Sequence, residues 1–148
     1  MNRRERILAM KALWTQEEGA FHGEMVNFDP VWLYPKPAQR PHPPILLGGS
    51  SDYTVKRVVE FCDGWMPLAR PPFDPKETVA RLGQAASAAG RDRSTLSISV
   101  FAAPADAAIL AQYRELGIDR AVLTVPDLTR DEILGVLDQH ARLLPDVS

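Results

Sequence analysis

A chain of 148 residues is long enough to fold as one domain around a hydrophobic core. Hydrophobic residues make up 45% and charged residues 24%, the balance of a soluble globular protein and not of a disordered or fibrous one. A formal net charge of -2, with Arg and Lys scattered along the chain, excludes the basic stripe that would point to nucleic acid or an anionic membrane surface.

The first predicted element is a helix over 4–14. Ile7, Leu8, Met10, Ala12, Leu13 and Trp14 gather on it and leave Arg4, Glu5 and Lys11 to water. The basic start, Met1-Asn2-Arg3-Arg4-Glu5-Arg6, runs into this amphipathic pattern and not into an unbroken apolar stretch, so it does not read as a targeting segment. No apolar run approaches the ~20 residues that span a bilayer. The expected location is the cytoplasm. Next, Ala20 to Phe28 suits a short hairpin with Gly23 at its turn. The prolines of Tyr34-Pro35-Lys36-Pro37-Ala38-Gln39-Arg40-Pro41-His42-Pro43-Pro44 fix φ and remove amide donors, so 34–44 is an extended connector.

From Pro44 the pattern becomes regular. Ile45-Leu46-Leu47 is a short strand ended by Gly48-Gly49, and a helix follows from Asp52 to Cys62 with Val55, Val58, Val59 and Cys62 on one face. Cys62, the single cysteine, excludes an internal disulfide and reads as buried packing beside Phe61, in keeping with a reducing compartment. Gly64 to Leu68 is a second strand. Asp74-Pro75-Lys76-Glu77 opens a helix with a capping residue, a proline at the first position and a Glu placed to complete a capping box. Val79, Leu82, Ala86 and Ala89 form its inward stripe, and Gly90 stops it. Leu96 to Phe101 alternates as a half-buried strand. A helix over 106–116 turns Ile109, Tyr113 and Leu116 inward, Ala121 to Val125 is a fourth strand, and Thr129-Arg130-Asp131-Glu132 caps a last helix with Ile133, Val136, Leu137, Ala141 and Leu144 inward. Short apolar strands alternating with amphipathic helices require a parallel sheet with helical crossovers, about four βα units over 45–148. Both a doubly wound sheet and part of a (β/α)8 barrel fit.

The segment with most chemical content is Gly48-Gly49-Ser50-Ser51, where a strand gives way to a helix. Bare main chain admits a phosphate closely, free amides point at it and the helix dipole favours an anion; a plain tight turn with a serine cap is the competing reading. The segment is neither a P-loop nor a G-x-G-x-x-G fingerprint, which argues against a Rossmann-type site. Trp65 either packs the core or offers an aromatic wall. Arg70 and Arg130 follow strand ends, where they can meet an anionic substrate or form surface ion pairs. His22, His42 and His140 lack metal-site spacing, the pairs Glu17-Glu18 and Asp131-Glu132 read as helix-end charges, and nothing nominates a general acid or base.

Read together, these segments resemble the luciferase-like monooxygenase family and its F-420-dependent oxidoreductases. The resemblance is carried by Leu13-Trp14-Thr15, Phe21-His22-Gly23-Glu24, Pro35-Lys36-Pro37-Ala38-Gln39-Arg40-Pro41, Pro43 through Ser50, Cys62-Asp63-Gly64-Trp65, Ala89-Gly90-Arg91-Asp92 and Leu116-Gly117-Ile118-Asp119-Arg120-Ala121-Val122-Leu123. It implies a (β/α)8 barrel that binds FMN or the deazaflavin coenzyme F-420 at the C-terminal ends of its strands. Gly48 and Gly49 are then the phosphate-binding turn, and Ser50 and Ser51 lie beside it; on an oxidoreductase reading Trp65 lines the pocket. It also implies that 1–148 is one partial domain, the C-terminal half of the barrel, with 1–44 as helix, hairpin and connector, since a complete barrel needs about 250 residues. Such a half has two open parallel edges and an exposed inner face, so pairing with an identical chain or with an N-terminal half-barrel chain is expected. An oxidoreductase component acting on a small organic substrate is the first functional expectation. A non-catalytic phosphate-binding remnant is the second, and a sugar-phosphate barrel enzyme the third.

Overall fold

From Leu46 onward, strands of three to seven residues alternate with helices. The computed structural model describes residues 3–144, and the chain divides into two compact units at the Ile45–Leu46 boundary.

The first unit holds α1 (Arg3–Thr15), β1 (Glu18–His22) and β2 (Asn27–Trp32). β1 and β2 form an antiparallel hairpin, with Glu18 opposite Trp32 and His22 opposite Asn27, and the Gly23 amide donates to Val26 O at 2.9 Å to close the turn. Glu5 does not face water: it is buried, and its Oε2 accepts the amides of Met25 (2.7 Å) and Val26 (3.0 Å). Amides at a hairpin tip lack ladder partners, and a carboxylate leaves water when it gains such donors. At the other end of α1, Lys36 Nζ donates to the carbonyls of Leu13 (2.8 Å) and Gln16 (2.6 Å), groups that a helix terminus leaves without intrahelical partners.

The second unit alternates strand and helix: β3 (Leu46–Gly48), α2 (Asp52–Phe61), β4 (Gly64–Met66), α3 (Pro75–Ala88), a short 3-10 turn (Arg93–Thr95), β5 (Ser97–Ala103), α4 (Ala107–Glu115), β6 (Arg120–Leu123) and α5 (Arg130–Ala141). The four strands are parallel and lie in chain order, β3-β4-β5-β6. A doubly wound sheet reverses direction part-way; this order does not, and it is the order of a barrel wall.

Leu47, Trp65 and Ile98 are in register and share one face of the sheet. That face meets Val55, Val58, Leu82, Ala86, Leu110 and Tyr113 in the core. On the other face Phe101 is 44% exposed. The alternation expected of this strand is incomplete, because Ile98, Ser99 and Val100 are all buried: β5 is flanked by strands on both sides, and Ser99 is small enough to be screened by them. β5 ends in a bulge between Phe101 and Ala103, where Ala102 takes φ 55°.

Helix starts follow their capping residues. The Asp74 carboxylate accepts the Glu77 amide at 2.9 Å, Asp106 accepts from Ile109 at 3.0 Å, and Glu132 Oε2 reaches back to the Thr129 amide at 3.0 Å. Among the described residues the Asp74 cap is one-sided, whereas a reciprocal capping box forms at Thr129. The buried stripe of α3 is Thr78, Leu82 and Ala86, at i+4 spacing, and Ala89 is exposed. α4 buries Leu110 and Tyr113, with Ile109 and Leu116 only half-buried. α5 departs most from expectation. None of its residues is buried, Leu137 is 45% exposed, and Ile133 and Val136 are half-buried. It follows β6, the edge of the sheet, and so has strand beneath only part of its apolar face.

Candidate functional site

The site is assembled where β3 hands over to α2. Gly49 has φ 118°, a backbone conformation that side-chain-bearing residues rarely adopt, and a Cβ there would sit 2.9 Å from Thr54 Oγ1. A Cβ on Gly48 would meet only Met66 O, at 3.6 Å, an ordinary contact. Ser51 is the N-cap of α2, and its hydroxyl accepts the Thr54 amide at 3.2 Å. The amides of Asp52 and Tyr53 begin the first turn, where no carbonyl lies one turn earlier to receive them. Gly48, Gly49, Ser50 and Ser51 are all exposed, so the turn opens to solvent and is not plugged.

Trp65 lies beside this turn. It is 1% exposed, packed in the core, and its indole Nε1 donates to Gly49 O at 2.7 Å. That bond ties the Gly49 carbonyl to the buried indole. Gly64 lets the Trp65 strand pack closely: a Cβ there would overlap Ser97 Oγ and lie 2.7 Å from Leu46 Cδ2.

Arg81 joins the site without a signal in its sequence neighbourhood. It lies on α3, and its Nη2 donates to Ser50 O at 2.9 Å and to Asp52 Oδ1 at 2.8 Å. Its guanidinium carbon is 5.6 Å from the centroid of the Trp65 ring. A cavity of about 580 Å³ opens here, lined among others by Gly49, Ser50, Trp65, Leu68, Arg70 and Arg81. Arg70 is exposed on its wall, whereas Arg130 is elsewhere, in an exposed ion pair with Asp131 at 3.3 Å. The histidines stand apart: His22 ends β1, His42 lies 6.1 Å from the Trp14 ring, and His140 is on α5. Among the described residues no three His, Cys, Asp or Glu side chains gather as a metal site. The arrangement can therefore hold an anion on main-chain amides and steady it electrostatically.

Residues 2–135 match the luciferase-like monooxygenase family. The chain belongs to that family. It is 36% identical over 142 residues to an uncharacterized protein of Mycobacterium tuberculosis, a match that covers 95% of this chain and 49% of the relative. It is 32% identical over 114 residues to an F-420-dependent hydroxymycolic acid dehydrogenase of the same species, covering 76% of this chain and 31% of that protein. The crystal structure of the monooxygenase RslO1 from Streptomyces bottropensis superposes with a TM-score of 0.74 at 19% identity, over 97% of this chain and 60% of that one. The chain thus spans about half the length of the first relatives it matches, and its fold is a partial luciferase-like barrel.

The luciferase-like segments of the sequence have structural work that explains their residue types. In Ala89-Gly90-Arg91-Asp92, Gly90 ends α3 at φ 63°, Arg91 Nη1 donates to the carbonyls of Val58 (3.3 Å) and Val59 (3.1 Å) near the end of α2, and Asp92 accepts the Ser94 amide at 2.9 Å. In Gly117-Ile118-Asp119, the Asp119 carboxylate accepts the Ile98 amide at 2.7 Å while its own amide donates to Ile98 O at 3.0 Å. A single residue thereby fixes β6 against β5.

Proposed function

We propose that this chain holds the phosphate end of FMN or F-420 at the Gly48–Ser51 turn and serves as part of an oxidoreductase acting on a small organic substrate. The observation that carries the reading is the turn itself: two exposed glycines, one at φ 118°, at the mouth of α2 and beside a cavity of about 580 Å³. Gly48 and Gly49 bring bare main chain to the phosphate oxygens, the opening amides of α2 donate to them, and the Ser50 and Ser51 hydroxyls flank them. Trp65 contributes by fixing the Gly49 carbonyl. Flavin and deazaflavin are the cofactors of relatives, and either supplies the hydride chemistry when bound; the residues of this turn bind and orient. The reducing cytoplasm suits its lone buried thiol, Cys62.

A second reading is favoured by the sheet. Among the described residues it ends on β3 at one side and β6 at the other, with Leu68 (40%) and Phe101 (44%) exposed. On this reading the chain is a binding module whose turnover requires further strands, supplied by a second copy or by an N-terminal half-barrel.

Titration of the chain with FMN and with F-420, followed by fluorescence quenching, tests the binding. Gly49→Val removes the left-handed freedom and puts a branched side chain against Thr54. It is expected to weaken phosphate-bearing ligands by about tenfold or more, from ~1–2 kcal/mol of backbone strain plus a displaced turn. Unchanged affinity in a folded Gly49→Val variant refutes the turn as the phosphate site.

A further inference from the structure

The cradle at α2 has an electrostatic difficulty that only the three-dimensional structure reveals. Asp52, the first residue of the helix, suits the helix dipole but repels a phosphate at the same place. Arg81 answers that charge from α3. Its side chain is 30% exposed, whereas that of Asp52 is 90% exposed, so the arginine is the seated partner and the carboxylate the solvated one. The guanidinium is steadied over the Trp65 ring, and both of its bonds, to Ser50 O and to Asp52, leave from Nη2. Among the described residues the Nη1 and Nε protons of the fork have no acceptor, and their planar geometry suits a phosphate.

We propose that Arg81 is the cationic arm of the phosphate site and that Asp52 is its resting counter-ion, displaced in part when an anionic phosphate arrives. The inference rests on the phosphate-binding reading of the Gly48–Ser51 turn. An exposed ion pair contributes about 0–1 kcal/mol, so a phosphate oxyanion, singly charged as a diester or doubly charged as a monoester, competes with Asp52 at small cost. The other charged residues lining the cavity are Arg70, Asp74 and Glu77. Arg70 is exposed and adds a second positive charge, while the Asp74 carboxylate is engaged by the Glu77 amide at 2.9 Å. Among the described residues that line the cavity, Arg81 alone both touches the turn and carries positive charge into it.

The experiment is a fluorescence titration of the whole chain with FMN, F-420 and riboflavin, which is FMN without its phosphate, at low and moderate salt. Arg81→Met is expected to raise the Kd for FMN and F-420 about tenfold, leave riboflavin unaffected and flatten the salt dependence, with Arg81→Lys intermediate. Asp52→Asn is expected to tighten FMN and F-420 about threefold. A difference in response between FMN and F-420 identifies which phosphate, monoester or diester, Arg81 contacts. Equal weakening of FMN and riboflavin in Arg81→Met, or unchanged FMN and F-420 affinity in both Arg81→Met and Asp52→Asn, reduces Arg81 to a strut between α3 and α2 and overturns the proposal. Should Arg81→Met fail to fold, Asp52→Asn decides alone, and an unchanged Kd in it is the negative result. A wild-type chain that binds neither FMN nor F-420 removes the functional reading and this inference with it. Binding by wild type with silent variants removes this inference only.

Discussion

The indole of Trp65 shows how one residue serves core and site together. Its ring is buried among Val55, Val58 and Leu82, while its Nε1 reaches Gly49 O. Trp65→Phe keeps an aromatic in the core but leaves a small void and an unpartnered carbonyl. The expected loss is about 1–3 kcal/mol of stability in denaturant unfolding, accompanied by weaker FMN binding because the turn is no longer pinned. Glu132 gives a pH-dependent case. Hydrogen bonds from the Thr129 hydroxyl and amide hold its carboxyl below the usual value of 4.5. A depressed folded value means that the cap is fully present above the unfolded value and is lost as pH falls through the folded one. The melting temperature of wild type should therefore exceed that of Glu132→Gln near neutral pH, with the gap closing below pH 4.5; a gap that widens on acidification contradicts the sign. What the sequence conceals at this scale is distance along the chain. Ser51 and Thr129 announce themselves because their partners lie three residues away. Glu5 and Arg81 do not, because their partners lie 20 and 31 residues away, and a charged residue on a helix reads as solvent-facing until its acceptors or donors are known.

Between elements, two polar side chains do the joining where apolar packing cannot fix position. Arg91 closes the end of α2 from beyond α3, and Asp119 sets the register of β6 on β5. Asp119→Ala would leave the Ile98 amide, near the start of the interior strand β5, without its carboxylate acceptor. A loss of about 1–3 kcal/mol is expected, with faster hydrogen exchange confined to β5 and β6. Exchange spread evenly over the sheet would show that β6 is held by packing instead. The strands and helices of the βα units were readable in advance because period and end-signals are local. The inward face of α5 was not, since a stripe of Ile133, Val136 and Leu137 records which side is apolar and not whether anything covers it.

At the scale of the molecule, the sequential strand order settles what periodicity left open, barrel wall against doubly wound sheet. The same order leaves β3 and β6 as terminal strands, with α5 thinly covered. We expect the purified chain to associate, either with itself or with a co-expressed chain of four further βα units, and light scattering after size-exclusion chromatography measures this. A monodisperse, well-folded monomer with no affinity for such a half would count against the pairing. The Gly48–Gly49 turn stood out in the sequence, whereas its supporting groups became visible only when α3 was placed beside α2.

Among the described residues, the groups of the proposed anion cradle come from two consecutive βα units: the glycines and Ser51 from the first, Trp65 and Arg81 from the second. The cradle is thus a portable cassette. Gene fission or shuffling that cuts a barrel outside β3–α3 would hand it on whole, so ligand anchoring can outlast, or precede, the assembly of a catalytic centre.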